Sequence, residues 1–260
     1  MTTTKLEIDA RGVANLVLSR PEKRNALSAE MIADLTRQAK RIAKDPAIRV
    51  VILAAEGQTF CAGGDLLWMR DQMTADAATR RAEALALATM LKALNDLPKP
   101  VIARVHGDVF GGGLGLLSVS DVVIADANAR FGLTETRLGL IPATIGPYVV
   151  ARIGSANARR TFLSPRLFGA PEACSLGFVT SCVAPDALDA AIEEEVAPCL
   201  EAAPGAVAEA KALVRSLGPQ IDDSAISLSV DALVARWESD EADEGTEAFF
   251  ARRPPRWAID

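Results

Sequence analysis

Two clusters of glycine and one glutamate carry the chemistry that this sequence suggests. The first cluster is Ala62-Gly63-Gly64-Asp65 and the second is Gly111-Gly112-Gly113. Each lies where a strand pattern gives way to a helix pattern. Helix N-termini present unpaired N–H groups and the positive end of the dipole, and glycine lets a ligand approach the backbone. Two such turns on successive strands of one sheet can converge on a single oxygen, an oxyanion hole made from backbone alone. The same glycines also fit tight turns and close helix–strand packing, and spacing alone leaves both readings open.

Glu135 follows Phe131-Gly132-Leu133-Thr134 and precedes Leu138-Gly139-Leu140-Ile141-Pro142. A carboxylate in so apolar a setting is open to desolvation, which raises its pKa toward the range of a general acid or base. The alternative is a helix-start carboxylate favoured by the dipole. Asp65 reads as a helix cap, His106 as a packed residue at a strand end, and Cys61 as a small buried apolar side chain without a base partner.

Other chemistries are excluded. His106 is the only histidine, so sites needing several imidazoles are ruled out. Cys61, Cys174, Cys182 and Cys199 form no C-x-x-C pair. There is no G-x-x-x-x-G-K-[ST], no G-x-G-x-x-G and no G-x-S-x-G. The net charge of −6, with no basic tail, argues against nucleic acid and anionic membrane surfaces. The opening MTTTKLEIDARG has no apolar signal core and no run of 18 apolar residues occurs, so a cytoplasmic protein is expected.

The elements that must position these groups follow from periodicity. Lys5–Asp9 and Val13–Ser19 alternate as a hairpin. Ser28 caps a helix to about Lys44, and Arg49–Ala55 is a buried strand. A helix over Asp76–Asp96 ends at Pro98. Val101–Val105 and Val122–Ala125 are further buried strands, a helix runs from the triple glycine to about Ser120, and Phe131 begins a short strand. Alternating strands and helices predict an α/β fold with parallel pairing. One more strand is expected at Phe178–Val183, followed by helices. At 260 residues, half of them apolar, the chain divides into a core over 1–195 and a helical region over 196–260.

Taken in order, these pieces resemble the crotonase superfamily of enoyl-CoA hydratases and isomerases. The marks are Arg20-Pro21 with Asn25-Ala26-Leu27, Phe60 through Asp65, Gly107 with Gly111-Gly112-Gly113, then Asp121, Phe131-Gly132, Glu135 and Gly139-Leu140-Ile141-Pro142. The resemblance implies a crotonase-like spiral of ββα turns with a C-terminal helical trimerisation region, assembled as homotrimers or homohexamers. It implies an acyl-CoA thioester substrate, with CoA as part of the substrate and no metal or separate cofactor. The thioester oxygen would lie between the N–H groups of Gly64 and Gly112, with Glu135 as base and acid. The Ala62 carbonyl would meet the adenine, and Lys23 and Arg24 the CoA phosphates. Leu66, Trp68 and Met69 would line the acyl pocket, although simple helix packing explains them equally.

One position departs from the family. Hydratases carry a second glutamate where this chain has Gly115. The aspartates of dienoyl-CoA isomerases and of aryl-CoA dehalogenases are absent at the Gly115 and Ala143 positions as well. The string around GGGLGL and RLGLIPA resembles bacterial methylglutaconyl-CoA hydratases and their isohexenyl relatives, of leucine or acyclic terpene degradation. That favours hydration, with 3-methylglutaconyl-CoA as the candidate substrate, over a Δ3-Δ2 enoyl-CoA isomerase using one glutamate; a non-catalytic acyl-CoA-binding homologue is the third reading.

Overall fold

The computed structural model describes residues 2–259. Alternation in the N-terminal segment produces β1 (Thr4–Ile8) and β2 (Val13–Leu18), an antiparallel hairpin with Leu6 opposite Leu16. The helix α1 (Ala29–Lys44) follows, and the Ser28 hydroxyl caps it by accepting from Met31 N at 3.3 Å. Its buried Met31, Leu35, Ala39 and Ile42 recur at helical spacing, which turns one face to the core.

Three turns of the chain then repeat one plan. A buried strand leads to a short strand in a second layer, and the short strand leads into helical structure. The first turn is β3 (Val50–Ala55) and β4 (Thr59–Cys61), with α2 (Leu66–Thr74) and α3 (Ala77–Asn95). The second is β5 (Val101–Val105), β6 (Asp108–Phe110) and α4 (Gly112–Ser118). The third is β7 (Val122–Asp126) and β8 (Arg130–Gly132), then a 3₁₀ turn over Glu135–Leu138 and α5 (Gly146–Phe162). The remainder is β9 (Phe168–Gly169), α6 (Ala170–Leu176), β10 (Ser181–Val183), α7 (Leu188–Glu201), α8 (Pro204–Leu217), α9 (Asp223–Trp237) and α10 (Asp240–Phe250).

Stacking these turns generates two sheets. One has the order β1-β2-β3-β5-β7-β10 and the other β4-β6-β8-β9. From β2 onward the larger sheet is parallel throughout, and buried β-branched strands supply it. The corner between β5 and β6 is so tight that a Cβ at Gly107 (φ 66°) would stand 2.0 Å from Gln58 O. The main apolar core, which includes Leu16, Leu53, Phe60, Val105 and Phe131, lies between the sheets and their helices.

Two expectations shift. The strand expected over Phe178–Val183 is confined to Ser181–Val183. Gly177 ends α6 in the left-handed region, and Phe178 N still bonds back to Ala173 O at 3.0 Å. The helix expected to reach Ser120 stops at Ser118. Position 195 falls inside α7, whose Leu188, Ile192 and Val196 pack against Val13, Val50, Ile52, Ile102 and Ile124 of the larger sheet. Among the described residues no helix is long and apolar enough to cross a membrane.

Candidate active site

The two glycine turns sit side by side because β4 and β6 pair in parallel just before them. A Cβ on Gly63 would meet Phe110 O at 3.2 Å, and one on Gly113 would meet Cys61 O at 3.0 Å. Backbones this close tolerate little besides glycine. Leu27 joins the pair from the N-terminal loop: its N–H donates to Gly63 O (2.8 Å) and its carbonyl accepts from Asp65 N (3.0 Å). Its Cδ1 would lie 2.7 Å from a Cβ on Gly112.

Asn25 explains why that loop is fixed. It is fully buried; its amide nitrogen donates to Glu56 O and Thr59 O (both 2.8 Å), and its Oδ1 accepts from Arg20 N (2.9 Å). Arg20 pairs with buried Asp65 at 3.1 Å. Asp65 caps α2 by accepting from Leu67 N at 2.8 Å. Its carboxylate is thereby committed to structure, as the capping reading expects.

Between the turns lies a cavity of about 640 Å3. Gly64, Gly112 and Glu135 all line it. Gly112 opens α4, so its N–H has no partner within the helix. No acceptor among the described residues takes the N–H of Gly64 or Gly112. Two unpaired donors therefore meet one carboxylate across a shared space.

Glu135 is held by its own 3₁₀ turn, which Gly139 closes in the left-handed region, with Leu140 N donating to Glu135 O at 3.0 Å. Its Oε1 lies 3.0 Å from where a Cβ on Gly111 would be, so that glycine leaves room for the carboxylate. Its Oε2 is buried and has no hydrogen-bond partner among the described residues. Burial pushes the Glu135 carboxyl up to about 7, and a contact to its own backbone N–H offsets this only in part. A group so tuned can take a proton and return it near neutral pH.

The remaining expected residues are also on the cavity wall. Ala62 lines it, and its N–H donates to Arg24 O at 3.0 Å. Lys23 and Arg24 are exposed at the mouth. Leu66, Trp68 and Met69 of α2 line one side. Cys61 is buried, and desolvation raises its thiol to about 12, which keeps it in the inert thiol form. His106 lies outside the cavity lining and bonds Gly57 O at 2.9 Å. Among the described residues no three metal-ligating side chains cluster.

Sequence reasoning missed Ile145. A Cβ on Gly115 would sit 2.5 Å from Ile145 Cγ2 and 3.6 Å from Leu91 Cδ1. Ile145 lines the cavity, so the space where a second carboxylate would project from position 115 is filled by hydrocarbon. It also missed Leu233, Trp237 and Phe249, which close the cavity from α9 and α10. No local pattern ties these helices to a site so distant in sequence.

The profile of the family described as enoyl-CoA hydratase/isomerase matches residues 9–259. The crystal structure of an enoyl-CoA hydratase from Shewanella pealeana is similar at 36% identity and a TM-score of 0.81, covering 98% of this chain and 96% of that one. An enoyl-CoA hydratase from Mycobacterium avium shares 31% identity at a TM-score of 0.89, covering 99% of this chain and all of its own. The Pseudomonas aeruginosa protein AtuE shares 38% identity at a TM-score of 0.80, over 99% of this chain and all of its own.

Proposed function

The chain belongs to the enoyl-CoA hydratase/isomerase family, the crotonase superfamily, and from that premise we propose that it adds water across the α,β double bond of an enoyl-CoA. The observation that carries this reading is the meeting of two unpaired backbone N–H groups, on Gly64 and Gly112, with the unpartnered carboxylate of Glu135 in one cavity.

The steps balance with these groups alone. Ionised Glu135 takes a proton from water as the water oxygen bonds to the β-carbon. The π electrons shift toward the thioester, and negative charge gathers on its oxygen. The N–H groups of Gly64 and Gly112 stabilise that enolate, the contribution for which such a hole is built. The enolate then collapses, the α-carbon takes the proton back from Glu135, and the carboxylate is regenerated. Ala62, Lys23 and Arg24 hold the CoA moiety in this scheme, and Leu66, Trp68 and Met69 flank the acyl group.

A second reading is favoured by Ile145. A hydrocarbon wall in place of a second carboxylate gives a bound water one fewer acceptor. Moving a double bond needs no water: Glu135 would take an α-proton from a 3-enoyl-CoA and return it to the γ-carbon, through the same stabilised enolate. Product analysis separates the two. Purified protein given 2-hexenoyl-CoA in the first reading yields the 3-hydroxyacyl ester. In the second it is silent on that substrate and converts 3-hexenoyl-CoA to 2-hexenoyl-CoA. Silence on both substrates would refute both and leave a binding protein.

The same proposal includes a cytoplasmic homotrimer or homohexamer. The exposed Leu213, Val214 and Leu217 of α8 and Leu228 of α9 supply an apolar face for such an assembly to cover. Sedimentation of the purified chain tests it, and a monomer at micromolar concentration would refute it.

A further inference from the structure

The free thiols of this chain differ in their surroundings. Cys61 is fully buried. Cys199, on α7, packs with Leu188, Ile192 and Val196 on the outer face of the larger sheet, and its Sγ donates to Glu195 O at 3.3 Å. Cys174 and Cys182 are half-buried, and both pack against the main core on the other face of that sheet. Strand alternation explains the division: Cys182 stands beside Ala125, whose side chain belongs to the main core, whereas Val183 turns outward to the α7 side.

The fold brings Cys174 and Cys182 together. Cys174 lies in the last turn of α6. Gly177 then reverses the chain in the left-handed region (φ 93°). Thr180 docks the returning segment on β7: its N–H donates to Val123 O at 2.8 Å and its Oγ1 accepts from Val123 N at 3.1 Å. β10 follows and packs against α6, and the thiol of Cys174 donates to the sulfur of Cys182. Burial raises the Cys174 thiol to about 11, and the bond to Cys182 adds to that rise, so Cys174 holds its proton at neutral pH. Among the described residues no cluster of three metal-ligating side chains forms, so the two sulfurs lack the further ligands a metal would need. Neither cysteine lines the cavity of Glu135.

We propose that Cys174 and Cys182 form a reversible oxidation site, which a hydroperoxide converts to an intramolecular disulfide and small-molecule thiols restore. Cys182, having lost its proton to solvent, attacks the peroxide oxygen; the O–O bond breaks, the released hydroxide takes up a proton as water, and a sulfenic acid remains on Cys182. The sulfur of Cys174 then attacks that sulfur, the S–O bond breaks, and the hydroxyl leaves as water with the proton of Cys174. In sum two thiols are oxidised to one disulfide and the peroxide is reduced to water. Two small-molecule thiols reverse the change and become a disulfide themselves. The bridge would tie α6 to the larger sheet around Phe178, whose ring already stacks on Phe168 at 6.1 Å.

Hydrogen peroxide added to the reduced full chain, followed by alkylation of the remaining thiols and intact mass spectrometry, tests this. The chain should lose about 2 Da as two hydrogens leave, and the protected thiols should become reactive again after dithiothreitol. Chymotryptic cleavage after Phe178 parts the two cysteines, so their peptides should stay joined until reduced. Cys199→Ser should keep the bridge, and Cys182→Ser should abolish it. Alkylation of every cysteine after peroxide, a bridge that includes Cys61 or Cys199, a bridge between two chains, or a sulfinic acid without a bridge would each overturn the proposal. Should a serine variant fail to fold, the joined peptides of the unaltered chain decide alone.

Discussion

Replacing Glu135 with glutamine separates chemistry from stability. Burial lifts this carboxyl from 4.5 to about 7 because its ionised form loses water and Oε2 gains no partner. The folded protein therefore holds the proton up to about pH 7, whereas the unfolded chain releases it near 4.5. Between those values the native state binds more protons, so stability falls as pH rises. At 1.36 kcal/mol per pH unit the full effect is about 3 kcal/mol. Solvent reaching the cavity side of the half-buried residue reduces it to about 2–3 kcal/mol.

Glutamine carries no charge and escapes that loss. At about pH 5 the two proteins should unfold at similar urea concentrations. At about pH 8.5 Glu135→Gln should be the more stable by about 2–3 kcal/mol, visible as a rise of several degrees in Tm. The same substitution should lower kcat/KM by about 10²–10⁴-fold, the usual worth of one acid–base group. The unaltered protein should lose activity as pH falls through about 7, because the base must be ionised. A stability difference that is the same at both pH values, or an acid limb near 4.5, would refute the desolvation argument.

Asn25→Ala should destabilise the fold by about 1–3 kcal/mol in urea unfolding, since it leaves the carbonyls of Glu56 and Thr59 without their donor. Its KM for CoA esters should rise too, because the same loop carries Leu27, Lys23 and Arg24 to the cavity. Gly115→Ala should cost about 1–3 kcal/mol through its clash with Ile145. Adding Ile145→Ala should recover part of that loss, read as a coupling energy in a double-mutant cycle. Lys23→Ala and Arg24→Ala should raise KM severalfold with kcat nearly unchanged, as expected for groups that bind the substrate equally in ground and transition states.

Much of the site was legible because its parts are local. A glycine cluster at a strand-to-helix junction announces a close backbone approach, and both turns are found at such junctions. Glu135 stood out by its apolar neighbours, and burial is what sets its proton affinity. The second sheet was not legible, because β4, β6 and β8 have three residues each, too few for a period of two to register. Nor was the partner of Gly115, since Ile145 lies thirty positions on and meets it only through the packing of α4 on α5. The settings of the arginines were not legible either. Arg70 and Arg137 lie beside the lining in sequence, and only the fold turns Arg70 onto Phe250 and Arg137 outward.

The contact between Gly115 and Ile145 also bears on how one carboxylate can be enough. In either proposed reaction Glu135 takes a proton and gives one back, so a second acid is not needed to balance the chemistry. A second carboxylate would instead hold water in place, and it would carry a second negative charge beside an enolate that the site must stabilise. With hydrocarbon there, the field at the thioester oxygen in the proposed reactions would come from two N–H dipoles and one carboxylate that turns neutral once it accepts its proton. Burial of Glu135 in its own turn raises its proton affinity to about pH 7. Ile145 and Glu135 line the same cavity, so the packing of Ile145 against a glycine leaves Glu135 as the acid–base group that both proposed reactions use.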